Sequence, residues 1–203
     1  LMATSTVDES LTQATVTSLT VIVGSYDLTL GPGRFVFAVI SGSTPIRLPT
    51  LKARFFSIDG IQETLADETV ALFRRWPVGE AGVYTAQTSF DVAGKWSMEV
   101  TVDRDDGSRV SGRTVFVVRE TSASPRLGAP APASLSKIVG GASSLEGITT
   151  SPIPDPDLYE MTVADAVSSG LPTVVTFATP AFCQTATCGP QVRVVSSLKE
   201  RHR

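Results

Sequence analysis

Apolar and polar positions alternate through much of the first 120 residues. "TVTSLTVIVG" (15–24), "LKARFFSI" (51–58), "VYTAQTSF" (83–90), "AGKWSMEVTVD" (93–103) and "SGRTVFVVRE" (111–120) each read as a short strand. "YDLTLGPGRFVFAVI" predicts a turn at Gly31-Pro32-Gly33 and an apolar strand over 35–40. Asp59-Gly60 and Asp105-Asp106-Gly107 are turn signals between strands, and "DETVALFRR" (67–75) fits a helical turn or a strand equally well. Strands at about 8–12-residue spacing indicate an all-β sandwich or barrel over 14–120. Residues 1–13 fall before it and are expected to be disordered.

The pattern breaks after Thr121. "TSASPRLGAPAPASL" is rich in Pro, Ala and Ser, and "SPIPDPDLY" repeats the proline bias, so 121–157 reads as an extended linker. Apolar residues at 158, 161, 163, 164 and 167 then predict an amphipathic helix ending at Gly170. "TVVTFAT" (173–179) has the β-branched content of a buried strand. Positions 192, 194, 195 and 198 fit a second helix, with Pro190 in its first turn, where a missing N–H costs nothing. One strand between two helices has no sheet partner for its backbone groups. Residues 158–203 are therefore expected to be the first part of an α/β domain that continues beyond Arg203.

Composition narrows the function classes. The chain has 203 residues, of which 42% are hydrophobic, and a net charge of −3. That charge gives no basic footprint for nucleic acid and no polybasic patch for a membrane. No apolar run is long enough to span a bilayer. The start at Leu1, with no leader pattern after it, points to an upstream signal peptide or membrane anchor. Several motifs carry no chemistry. "GPGR" at 31–34 lacks the Gly-Lys-Ser/Thr of a phosphate loop. "DRDDG" at 103–107 lacks the remaining ligands of a calcium loop and reads as a hairpin turn. Arg74 and Arg75 read as a solvated pair, and the single histidine, His202, excludes a Ser-His-Asp set within this chain.

The candidate chemistry lies in "FATPAFCQTATCGPQ" (177–191), which holds both cysteines, Cys183 and Cys188. Cys188 stands at the start of the second helix, where free N–H groups and the helix dipole stabilise a thiolate, the nucleophilic form. A bond between the two requires a non-helical loop, which Ala181 to Thr187 can supply. Fixed disulfide, redox pair and soft-metal site all remain open from the residues alone.

The apolar strand ending in Phe177, followed by Ala178, the aromatic Phe182 before a cysteine, and Cys188-Gly189-Pro190, resembles the active-site strand, loop and helix of thioredoxin-like proteins. The resemblance implies a partial α/β thioredoxin-like domain over 158–203. It also implies thiol–disulfide exchange with protein thiols or disulfides, and no cofactor or metal. Four residues separate the cysteines, where the family has two, or three in its Sco-like copper-handling relatives. If Cys188 takes the first position, Gln191 replaces the second cysteine. If Cys183 takes it, as Phe182 favours, the loop carries an insertion and Cys188 resolves. A non-enzymatic scaffold with a structural disulfide and a Sco-like copper handler are the alternatives.

Gly82, Tyr84, Phe90, Gly94 and Trp96 are similar to a Gly-x-Tyr and Gly-x-Trp pattern in small extracytoplasmic immunoglobulin-like sandwiches, among them the YtkA-like and CopC-like groups. This implies an immunoglobulin-like sandwich and an extracytoplasmic, membrane-anchored protein. The β region has no His, and alternation places Met98 beside the core, so a copper role is not expected there.

Overall fold

The computed structural model describes residues 18–77, 79–103, 107–141, 144–183 and 188–202. The chain divides into two compact units, Leu1–Trp76 with Glu80–Ser124, and Pro77–Gly79 with Pro125–Arg203.

The first unit is all β. Its strands are β1 (Leu19–Val23), β2 (Gly31–Ser41), β3 (Thr44–Pro45), β4 (Thr50–Asp59), β5 (Gln62–Arg75), β6 (Gly82–Phe90), β7 (Gly94–Asp103) and β8 (Arg109–Val118). They form one sheet in the order β1-β8-β7-β4-β5-β6-β2-β3, and β1 also pairs with β2, so the sheet curls into a barrel-like closure. Closure removes most free strand edges. β1 runs antiparallel to β2 but parallel to β8, which it meets at Leu19–Gly112.

Alternation decides what faces inward. Phe35, Phe37 and Val39 of β2 are buried, as are Leu51, Ala53 and Phe55 of β4 and Trp96, Met98 and Val100 of β7. Phe35 packs against Phe55 and Phe116, with ring centroids 5.2 and 4.8 Å away. Buried aromatics with polar tips need partners. Trp96 Nε1 donates to the Val92 carbonyl at 3.0 Å, and the Tyr84 hydroxyl donates to that of Leu48 at 3.0 Å. On the outer face, cross-strand pairing lines up Glu68, Arg54, Glu99 and Arg113 with alternating sign. Phe56 lies between the Arg54 and Arg113 guanidinium groups, 5.2 and 4.9 Å from its ring centre.

One reading changes in this unit, and others are sharpened. Gly31-Pro32-Gly33 is not a turn but the start of β2, paired with Thr88 to Phe90 of β6. β1 covers only Phe37–Ser41 of β2, so the missing N–H of Pro32 deprives no neighbouring strand of a bond. The ambiguous 67–75 stretch is strand, because β5 pairs with β4 over Gln62–Leu72 and with β6 over Leu72–Arg75. Arg75 is exposed but ion-pairs with Glu80, and Arg74 Nε donates to Thr85 Oγ1 at 3.4 Å. The 105–107 turn lies largely outside the described residues, although β7 and β8 pair out to Asp103–Arg109, an ion pair at 2.7 Å.

The second unit has two α-helices, α1 (Val163–Ser168) and α2 (Cys188–Arg201), and short 3-10 turns. α1 starts later than apolar spacing predicts. Leu158 belongs to the 3-10 turn Pro156–Tyr159, and Thr162 with Asp165 forms a reciprocal capping box that fixes the helix start. The helix end holds as expected, with Gly170 at φ 70°. The proline-rich stretch is hydrogen-bonded to α1. The Ser134 carbonyl accepts from Ala164 N–H, and Ser136 Oγ accepts from Val163 N–H.

The buried strand expected at 173–179 does not form. Residues 173–179 belong to no ladder, and Val174, Val175 and Phe177 are exposed. A strand is stable only where a neighbour takes its N–H and C=O groups, and no described strand lies beside this one. Ala166 is the single buried apolar side chain among the described residues of this unit.

Candidate functional site

Cys183 and Cys188 form a disulfide, with Cα atoms 6.0 Å apart. That span is within the natural disulfide range. Cys183 follows the 3-10 turn Pro180–Phe182, which opens with proline and is closed by Phe182 N–H donating to the Thr179 carbonyl at 2.9 Å. Ala181 N–H donates to Thr150 Oγ1 at 3.3 Å, tying the turn to an earlier loop. Cys188 opens α2, and Gly189 and Pro190 complete its first turn. Residues 184–187 lie outside the described residues.

The helix start acts on the other cysteine. The Cys188 backbone N–H, unused within α2, donates to Cys183 Sγ at 3.3 Å. Position along the sequence credited Cys188 with the helix-end effect, whereas the donor contact falls on the Cys183 sulfur. An N–H and the positive end of a 14-residue helix both favour a thiolate there.

Phe182 is 76% exposed beside the pair. Gly189 has no steric need to be glycine, because an added Cβ would meet only the Arg193 guanidinium end, at 3.6 Å. A cavity of about 210 Å³ in this unit is lined by Ile148, Leu158, Tyr159, Val174, Val192 and Val195, among others. Val192 and Val195 follow Cys188 by four and seven residues, so the three share one face of α2.

The far end of α2 is held by charge. Lys199 Nζ sits 2.8 Å from Asp155 and 2.9 Å from Asp157, in the segment that opens the 3-10 turn Pro156–Tyr159. Apolar periodicity gave no sign of this clasp; the Asp-Pro-Asp run was its only mark. The hydrogen bond from Lys199 holds the Asp155 carboxyl below its ordinary 3.8, and Asp155 in turn raises Lys199. Folding therefore favours the charged Asp155. Its contribution is present above pH 3.8 and is lost as pH falls through the lower folded value. Asp155→Asn is expected to lower the thermal midpoint of α2 at neutral pH, and the gap from the parent chain is expected to close in acid. Circular dichroism melts at descending pH read both.

Among the described residues, no group of three or more His, Cys, Asp and Glu side chains converges on one point. His202 lies just past α2, where its N–H donates to the Lys199 carbonyl at 3.1 Å, and Met98 is fully buried in the β core. No described helix is long and apolar enough to cross a membrane.

No protein-family model matches the chain, and no curated protein matches it. Among solved structures, murine CRIg, an immunoglobulin-like protein, aligns with 51% of this chain and 98% of its own, at 11% identity and a TM-score of 0.32. A likeness of that strength fixes neither family nor function.

Proposed function

We propose that Cys183 and Cys188 are a thiol–disulfide exchange pair acting on protein thiols or disulfides. The observation that carries the reading is the Cys188 N–H donated to Cys183 Sγ at the start of α2, which favours Cys183 as the thiolate. In the reducing direction, the Cys183 thiolate attacks a substrate disulfide, forming a mixed disulfide and releasing one substrate thiolate. The Cys188 thiolate then attacks Cys183 Sγ, forming the Cys183–Cys188 bond and releasing the second substrate thiolate. The oxidising direction is the reverse.

On this reading the first unit is an immunoglobulin-like module and residues 158–203 begin a thioredoxin-like domain. The 173–179 segment, which joins no ladder here, would correspond to its central strand. The setting would be extracytoplasmic and membrane-anchored, where disulfides persist. A second reading, a structural staple in a scaffold protein, is favoured by the single buried apolar side chain among the described residues of the second unit. Units with little core depend on cross-links. Equilibration of the full chain in graded glutathione buffers, followed by alkylation and mass spectrometry, separates the two. Reversible exchange supports the catalytic pair, and a bond that stays oxidised throughout supports the staple.

A further inference from the structure

β8 is paired along its whole length on one side only. Against β7 its ladder runs from Arg109 to Val118. On the other side, among the described residues, it meets the chain before β2 at two points, Leu19–Gly112 and Thr29–Arg119. Between these points the first path is ten positions long and the path along β8 is seven. The surplus is drawn away towards β2. There Gly24 N–H donates to the Val36 carbonyl at 2.8 Å, and Ser25 Oγ accepts from Val36 N–H at 2.9 Å. A short stretch of β8 edge is left open.

Alternation tells which groups that edge offers. Arg119 turns both backbone groups to the 28–30 segment. Its N–H donates to the Leu28 carbonyl at 2.9 Å, and its carbonyl accepts from Leu30 N–H at 3.2 Å. Val117 and Val115, two and four positions earlier, turn theirs the same way, and neither joins a ladder on that side. Their side chains are 58% and 60% exposed. A cleft of about 380 Å³ runs beside them, lined by the buried Phe116 and Leu28 and by the exposed Tyr26 and Arg119, among others. The Arg119 guanidinium has no hydrogen-bond or ion-pair partner among the described residues.

We propose that this edge docks an extended segment of a partner protein, apolar at alternate positions and carrying a carboxylate where it passes Arg119. Such a strand exchanges backbone hydrogen bonds with Val115 and Val117. Its inward apolar side chains enter the cleft over Phe116 and Leu28, and its carboxylate meets the free guanidinium. Charge selects against a second copy of this chain as the occupant. Antiparallel pairing of two β8 edges about Phe116 would set each Arg119 opposite the other copy's Arg113, like charge against like.

Fluorescence anisotropy on the full chain tests this with labelled Thr-Val-Thr-Val peptides carrying Asp at one end or the other, which covers both strand directions. At least one is expected to bind the parent saturably, with Kd below about 1 mM. Val117→Pro removes only an outward N–H, so the β7 ladder is kept while binding should weaken about tenfold or more. Val117→Thr keeps that N–H and should bind as the parent does. Arg119→Glu should weaken the Asp peptide about tenfold and favour its Lys counterpart. No binding to the parent, or equal binding to Val117→Pro, overturns the proposal. A dimer in sedimentation that Val117→Pro dissolves gives the edge to a second copy and also overturns it. If Val117→Pro fails to fold, the Arg119→Glu preference decides: inversion supports the docking site, and no change overturns it.

Discussion

Phe35→Ala is expected to destabilise the β unit by about 3–5 kcal/mol. Phe35 is fully buried and touches the rings of Phe37, Phe55 and Phe116. Those residues come from β2, β4 and β8, so its ring joins strands far apart in the sheet order. Removing it loses the transfer energy of the ring and leaves a cavity that closed strands cannot readily fill. Domains of this size have about 5–15 kcal/mol of stability in all, so a large part of the total is at stake. Urea unfolding followed by tryptophan fluorescence measures it, because Trp96 lies within the same aromatic cluster through Phe90. Val115→Ala is the control. That side chain is 60% exposed, and its loss should change stability by only about 0.5 kcal/mol or less. A loss below about 1 kcal/mol for Phe35→Ala would mean that the core is not centred there.

The second large effect concerns exchange chemistry. Cys183→Ser is expected to abolish exchange with a disulfide-bearing protein, because the attacking sulfur is gone. Cys188→Ser is expected to leave the first step intact and to accumulate a mixed disulfide through Cys183, visible as a mass adduct of one substrate per chain. The reverse pattern, with adducts through Cys188 in Cys183→Ser, would assign the attack to Cys188 and contradict the role given to its N–H. Either substitution also removes a short cross-link, whose ends are five positions apart, worth about 2 kcal/mol by loop-closure entropy. Activity must therefore be compared at a temperature where the α2 signal is unchanged.

Much of the β unit was legible because alternation is a local signal. β4, β6, β7 and β8 follow the apolar-polar pattern, and the buried Tyr84 and Trp96 fall on it. Gly31-Pro32-Gly33 misled because glycine and proline mark turns only on average. Whether a proline fits a strand depends on what lies beside it, here the short reach of β1 along β2. β5 was undecided because its side chains are mostly exposed, and its partners on both sides settled it. The 173–179 segment shows the converse. β-branched residues favour an extended chain, but composition does not supply the neighbour that makes it a strand.

The candidate site was legible in the same partial way. Two cysteines five positions apart at a helix start announced themselves, and so did the first turn with Gly189 and Pro190. Which sulfur receives the helix N–H did not, because that depends on how the intervening loop turns back. Asp27 with Ser122, and Asp155 with Lys199, pair over 95 and 44 positions. No periodicity reports contacts that distant; only the assembled fold brings them together.

The most direct test of the exchange pair is its reduction potential, read by alkylation and mass spectrometry across graded thiol buffers on the full chain. The account expects a reversible midpoint between about −120 and −270 mV, the range of exchange catalysts. A bond that resists reduction below about −300 mV would contradict it and leave Cys183–Cys188 a structural staple.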